Sequence, residues 1–313
     1  MSVEDVVSRL SAILRTVPAR QVEQYGNKAG GRPAVASLYA SESRDPSVSA
    51  EILDHASALA RRWTLDAAPQ LMDALESVLS TPSARQYGPH PLVRSILEYA
   101  ARASWLMECD IGPRARGARA WLVEAVSADS MLQAMKGSGA QAWKDAEGRR
   151  DRTYRRIARL FGDDGLSTTG NWSCWTLAGE PYGSPSAVVE GFAQRYFPAS
   201  DGRGAYMRWS TLVHPSAASA TAFGTPRDDD EVVSPDLDIR FLSGAVRTAT
   251  TTWYVAVHAF VVYNGWSASE LDAWWSSTME ALAATDKAIA ECCSGPSLAL
   301  SCRHSSRNWR RPP

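Results

Sequence analysis

An arginine and a glutamate four residues apart, on a helix otherwise patterned for burial, are the first groups in this chain whose types and spacing suggest chemistry. Arg94 and Glu98 share one face at i and i+4, within the stretch His90 to Arg119. Tyr206, Ser210 and His214 recur at i, i+4 and i+8 and share another. If these faces meet, with Arg116 from the following helix, they form a polar cluster around a titratable histidine, suited to binding an anion or moving a proton. The same groups can instead close into a satisfied core network, in which Arg94 and Glu98 neutralise each other and fix helix register.

The run Arg208-Trp-Ser-Thr-Leu-Val-His214 resembles the Arg-x(4-6)-His motif of the HEPN superfamily, helical bundles that include metal-independent ribonucleases of bacterial toxin and defence systems. The resemblance covers that motif and a helical context. It implies an endoribonuclease without metal or cofactor, belonging to a toxin-antitoxin type of system. His214 and Arg208 would then be catalytic, assisting attack of a ribose 2′-hydroxyl on its phosphate while the arginine stabilises developing negative charge. It also implies a site in the cleft of a homodimer. A second match to the spacing runs from Arg85 to His90, RQYGPH, in a loop with glycine and proline.

Arg149, Arg152, Arg156 and Arg159 lie on one helical stripe, and Arg303, Arg307, Arg310 and Arg311 follow near the C-terminus. With Tyr154 and Trp309, they are the residue types that hold a phosphate backbone and stack on bases. Such a stripe is also a common solvated face paired with acids, and Asp228 to Glu231 is a candidate partner. Cys292, Cys293, Cys302 and His304 make a poor zinc set, because adjacent cysteines cannot readily serve one tetrahedral ion and the two-residue spacer is missing. No metal site is expected. The loop carrying Trp172 and Trp175 is either a lid or a segment anchored to the core by its indoles. His258, in an apolar run, reads as a hydrogen-bonded core histidine and His55 as an exposed one. The phosphate-loop, dinucleotide, GxSxG and HExxH signatures are absent.

Composition narrows the classes further. The 45% apolar and 21% charged content of 313 residues is ordinary for a folded globular chain. A net charge of -1 gives no global reason for nucleic-acid or membrane binding, so any anionic partner must be met by a local patch. Lysine occurs only at Lys28, Lys136, Lys144 and Lys287, and the arginine and alanine bias resembles GC-rich bacterial coding. The start MSVEDVVSRL lacks signal-peptide character and no run is apolar enough to span a bilayer. A cytoplasmic protein with free thiols is the expectation.

The elements that must position these groups are helical. Periodicity predicts helices over 2–17, 52–63 and 69–79, the last two as an antiparallel pair. Pro91 opens the central helix, and Gly112-Pro113 separates it from the next, Arg114 to about Met135. Further helices are predicted over about 140–161, 184–196 and 205–213, over 242–263 despite its strand-like TTTWYVAVHAFVVY, and from a Ser267/Glu270 capping box to Cys292. The expected architecture is all-α, a multi-helix bundle of about nine or ten helices with long loops. Its expected organisation is an N-terminal bundle over 1–161, C-terminal helices over 162–294 packed on it or continuous with it, and a disordered basic tail over 295–313. Three functions fit: a binding or regulatory protein for an anion or nucleic acid, a HEPN-like ribonuclease, or a structural interaction protein.

Overall fold

A computed structural model of the chain describes residues 2–17, 37–46, 48–85, 87–162, 165–197, 206, 209–210, 225–226, 232–233 and 239–293. Of these, 79% are helical, so the chain is all-α. The helices are α1 (Val3–Arg15), α2 (Leu38–Glu42), α3 (Ala50–Arg61), α4 (Ala68–Ser80), α5 (Pro89–Leu106), α6 (Pro113–Ala134), α7 (Ala140–Phe161), α8 (Pro185–Tyr196), α9 (Ile239–Tyr263) and α10 (Ser269–Cys293). Two short antiparallel ladders accompany them, β1 (Thr176–Leu177) with β2 (Glu180–Pro181), and β3 (Thr225–Pro226) with β4 (Val232–Val233). No helix among the described residues is long and apolar enough to cross a membrane.

Local signals start the helices as chemistry requires. Ser2 and Asp5 close a reciprocal capping box on α1, satisfying two amide donors that the first turn leaves free. Proline stands in the first turn of α5, α6 and α8, where its missing donor costs nothing.

The central helix is α5, which packs against α3, α4, α8 and α9. Its Val93, Ile96, Leu97 and Ala101 join Leu10 of α1, Leu75 of α4, Phe192 of α8, Trp253 of α9 and Leu282 of α10 in the largest apolar cluster. Each such side chain, taken from water, contributes about 1.5 to 3 kcal/mol. A second cluster lies between α3, α6 and α7 and includes Trp121, Ile157 and Phe161.

The helices over 52–63 and 69–79 do not form the expected antiparallel pair. A π-helical turn, Arg62–Ala67, carries α3 end-on into α4. The cause lies in Pro69, which has no amide donor and whose ring crowds the preceding turn. The Ala68 amide bonds back to the Trp63 carbonyl, five residues earlier, and the Thr64 carbonyl accepts instead from the buried Trp253 indole at 2.8 Å.

Helix α9 is formed from a strand-like composition. Thr248, Thr250 and Thr252 turn their hydroxyls onto carbonyls four residues back, at 2.8 Å each, so these polar groups are satisfied inside the helix. Val246, Trp253, Val257, Phe260 and Val261 are then free to fill the core, where the helix packs on α5. The irregular stretch after α7 is tied down by Trp175 and Leu177, both buried, and by a Trp172 indole bond to Asp129 at 2.8 Å. A tight turn at Ala178-Gly179, both with positive φ, delivers Glu180 and Tyr182 to α5 and α6.

Candidate functional site

Helix α5 carries a polar stripe, Arg94, Glu98, Arg102 and Trp105, at steps of four, four and three. Arg94 Nε donates to Glu98 Oε1 at 2.8 Å, and Tyr206 closes the set, accepting from Arg94 at 3.2 Å and donating to Glu98 at 2.9 Å. Burial, and then the bond to Glu98, raise the Tyr206 phenol above its ordinary range. Ser210 is buried beside this set. The faces expected to meet therefore do meet, as a compact network. Arg208 and His214 lie outside the described residues.

Arg116 does not join that cluster. It is fully buried one helix away and grips Glu42 of α2 through Nε at 3.1 Å and Nη2 at 2.9 Å. Its remaining donors cap the end of α5 on the carbonyls of Leu106 and Glu108, and its guanidinium lies 4.5 Å from the Tyr263 ring centroid. Tyr263 also donates to Glu42 at 2.8 Å. The carbonyls that a helix end leaves unpaired are thus satisfied by a buried cation that is itself neutralised. This is a closed structural lock, in which Arg116 is fully buried and spends four of its five donors on Glu42 and the carbonyls at the end of α5.

A different arrangement occupies the C-terminal half of the α5 stripe. A recess of about 240 Å³ opens between α5, α6 and α8, lined by Ser104, Trp105, Glu108, Arg119, Arg195 and Tyr196. Arg119 bonds Glu108 at 2.7 Å and Glu180 at 2.8 Å, and lies over the Trp105 indole at 4.9 Å. Glu108 is shared, because its other oxygen is 3.5 Å from Arg195. Arg195 is held loosely, with Asp110 at 3.3 Å. The Ser104 hydroxyl is buried and has no hydrogen-bond partner among the described residues. Arg102, beside Ala101 of the lining, stacks on Tyr182 at 5.4 Å and donates to its hydroxyl at 3.0 Å, yet no carboxylate pairs with it among the described residues and its Nη1 is buried without an acceptor. Arg119 and Arg195 thus meet three carboxylates, Glu108, Glu180 and Asp110, whereas Arg102 meets none among the described residues.

The other candidates resolve differently. On α7, Arg149 pairs with Glu124, and Arg156 and Arg159 both pair with Glu51; the acidic run at 228–231 lies outside the described residues. Arg156 also covers Trp121. Arg152 is exposed. The arginines at 303–311, with Trp309, Cys302 and His304, lie outside the described residues, as do the side chains of Cys292 and Cys293. His55 is not exposed: it stacks on Trp121 at 4.2 Å, and burial lowers its basicity. His258 is not a core residue: its side chain is 39% exposed and stands 3.7 Å from Asp272. The second Arg-to-His match is structural, since Arg85 is taken up by Glu4 at 2.6 and 2.9 Å while His90 packs against Phe241 and Trp209.

Arg102 was available to sequence reasoning as the next i+4 step after Glu98, and Arg119 as the next arginine after Arg116. Arg195, Glu180 and Ser104 carried no signal of their own, because only the docking of α8 and the β1–β2 hairpin brings them together. No family model, curated protein or solved structure matches this chain.

Proposed function

We propose that this is a cytoplasmic binding protein whose ligand is a small anion held in the recess between α5, α6 and α8. The observation that carries the reading is Arg195 at that recess, held only at 3.3 and 3.5 Å by Asp110 and Glu108, beside a buried Ser104 hydroxyl that has no partner among the described residues. An anion entering the recess would add to the long, weak pairing of a guanidinium already partly removed from water. Arg195 is the group to receive it, being 37% exposed and only loosely bonded. Ser104 adds an unpartnered hydroxyl and Trp105 an aromatic wall. The nucleic-acid form of the reading has less support, because three of the four α7 stripe arginines are already paired with glutamates.

Titration with acetate, followed by saturation-transfer NMR, tests the proposal. Saturable binding that weakens about tenfold or more in Arg195→Ala is expected, the loss of one charge-assisted hydrogen bond. Absence of saturable binding, or binding indifferent to Arg195→Ala, would overturn it.

A further inference from the structure

Arg195 and Tyr196 do not face the polar recess alone. They also line a second, larger recess of about 460 Å³ on the far side, bounded by Met107 and Cys109 after α5, and by Tyr254, Val255 and Val262 of α9. The two spaces therefore meet at one pair of side chains, the last arginine and last tyrosine of α8. Their chemistries are opposed. The inner recess presents guanidiniums, a carboxylate and a hydroxyl with no partner among the described residues, whereas the outer one is walled mainly by aliphatic and aromatic carbon.

Val262 is the independent observation. It is 54% exposed on a helix whose neighbours Val257, Phe260 and Val261 are all buried, and it lies on the wall of the outer recess. A large apolar side chain left facing solvent beside an apolar hollow is a surface suited to apolar contact. Arg195, 37% exposed and held only at 3.3 to 3.5 Å by Asp110 and Glu108, lines both spaces.

From this we infer that the ligand is an amphipathic carboxylate: its head is held by Arg195 beside Ser104, and its apolar body lies in the outer recess along Met107, Val255 and Val262. The inference rests on the anion reading above and adds the substrate class. Charge complementarity selects the head, and burial of hydrocarbon selects the tail.

An alkanoate series on the full chain, from acetate through butyrate to octanoate below its micellar range, separates the two readings. Affinity should rise about threefold to fourfold for each added methylene. Octanoate should slow alkylation of Cys109, followed peptide by peptide in mass spectra, with the exposed Cys174 as the internal control. Val262→Asn, which adds no charge, should reduce the gain with chain length. If acetate binds through Arg195 but lengthening the chain changes neither affinity nor Cys109 labelling, the inference fails and the anion site stands. If octanoate binds and protects Cys109 but acetate does not bind and Arg195→Ala has no effect, both readings fail. Failure of every alkanoate to bind overturns both as well.

Discussion

Arg116 and Glu42, 74 positions apart, form a two-bonded ion pair in which the arginine is fully buried and the glutamate 7% exposed. The pair ties the five-residue helix α2 to the end of α5, so that the short α2 is held by a charge and not by length. Burying both ions costs about as much as their attraction returns, but leaving either alone is expensive.

Glu42→Ala should therefore destabilise the fold by about 3 to 5 kcal/mol, as should Arg116→Ala. Chemical denaturation measures it. The Arg116→Met/Glu42→Leu double variant should recover part of the loss, and additive losses would contradict the lock.

The Trp253 indole and Thr64 carbonyl make a second long-range tie, 189 positions apart. Trp253→Phe should cost about 1 to 3 kcal/mol, the penalty of an unsatisfied buried carbonyl plus lost contact. Pro69→Ala restores an amide donor near that carbonyl, so it should reduce the cost of Trp253→Phe when the two are combined. Equal costs in both backgrounds would show that Pro69 does not set the turn.

These two ties show what could be read in the sequence and what could not. The central helix was legible from His90-Pro91 and Gly112-Pro113, although it starts earlier, at Pro89. The Arg94, Glu98 and Tyr206 set was legible because i+4 spacing fixes a face and buried charges need partners. Glu42 was not, since it sits among serines in a segment too short for any periodicity to show. His55, next to Asp54 on a helical segment, reads as exposed, yet its ring turns onto Trp121. The expected break between 63 and 69 was a π turn because a proline one turn into a helix can redirect hydrogen bonds without ending the rod.

His90 supplies a pH test. It is 6% exposed, and burial lowers its pKa to about 4 from an ordinary 6.5. Between those values the unfolded chain binds a proton that the folded chain does not, so stability falls as pH drops below 6.5 and levels off below about 4. The contribution is up to about 3 kcal/mol. Melting temperature followed from pH 7 to 4 should fall less steeply in His90→Phe, and parallel profiles would contradict the assignment.

Arg102 is expected to trade stability for binding. Replacing its uncompensated guanidinium by the apolar chain of Arg102→Met should leave the ligand-free protein as stable or more stable by about 1 kcal/mol, although the Tyr182 contact is lost. The same change should weaken acetate binding. A variant both less stable and unaltered in binding would mean that Arg102 is only a structural strut.

The central claim is that an anion enters between Arg119 and Arg195, and the Trp105 indole stands at that place. With nitrogen-labelled tryptophan, and Trp105→Phe to assign the signal, acetate titration should move the Trp105 indole resonance saturably. Trp253, buried and bonded to Thr64, should stay still. An unmoved Trp105 signal, or equal drift of all the indoles without saturation, would contradict the account.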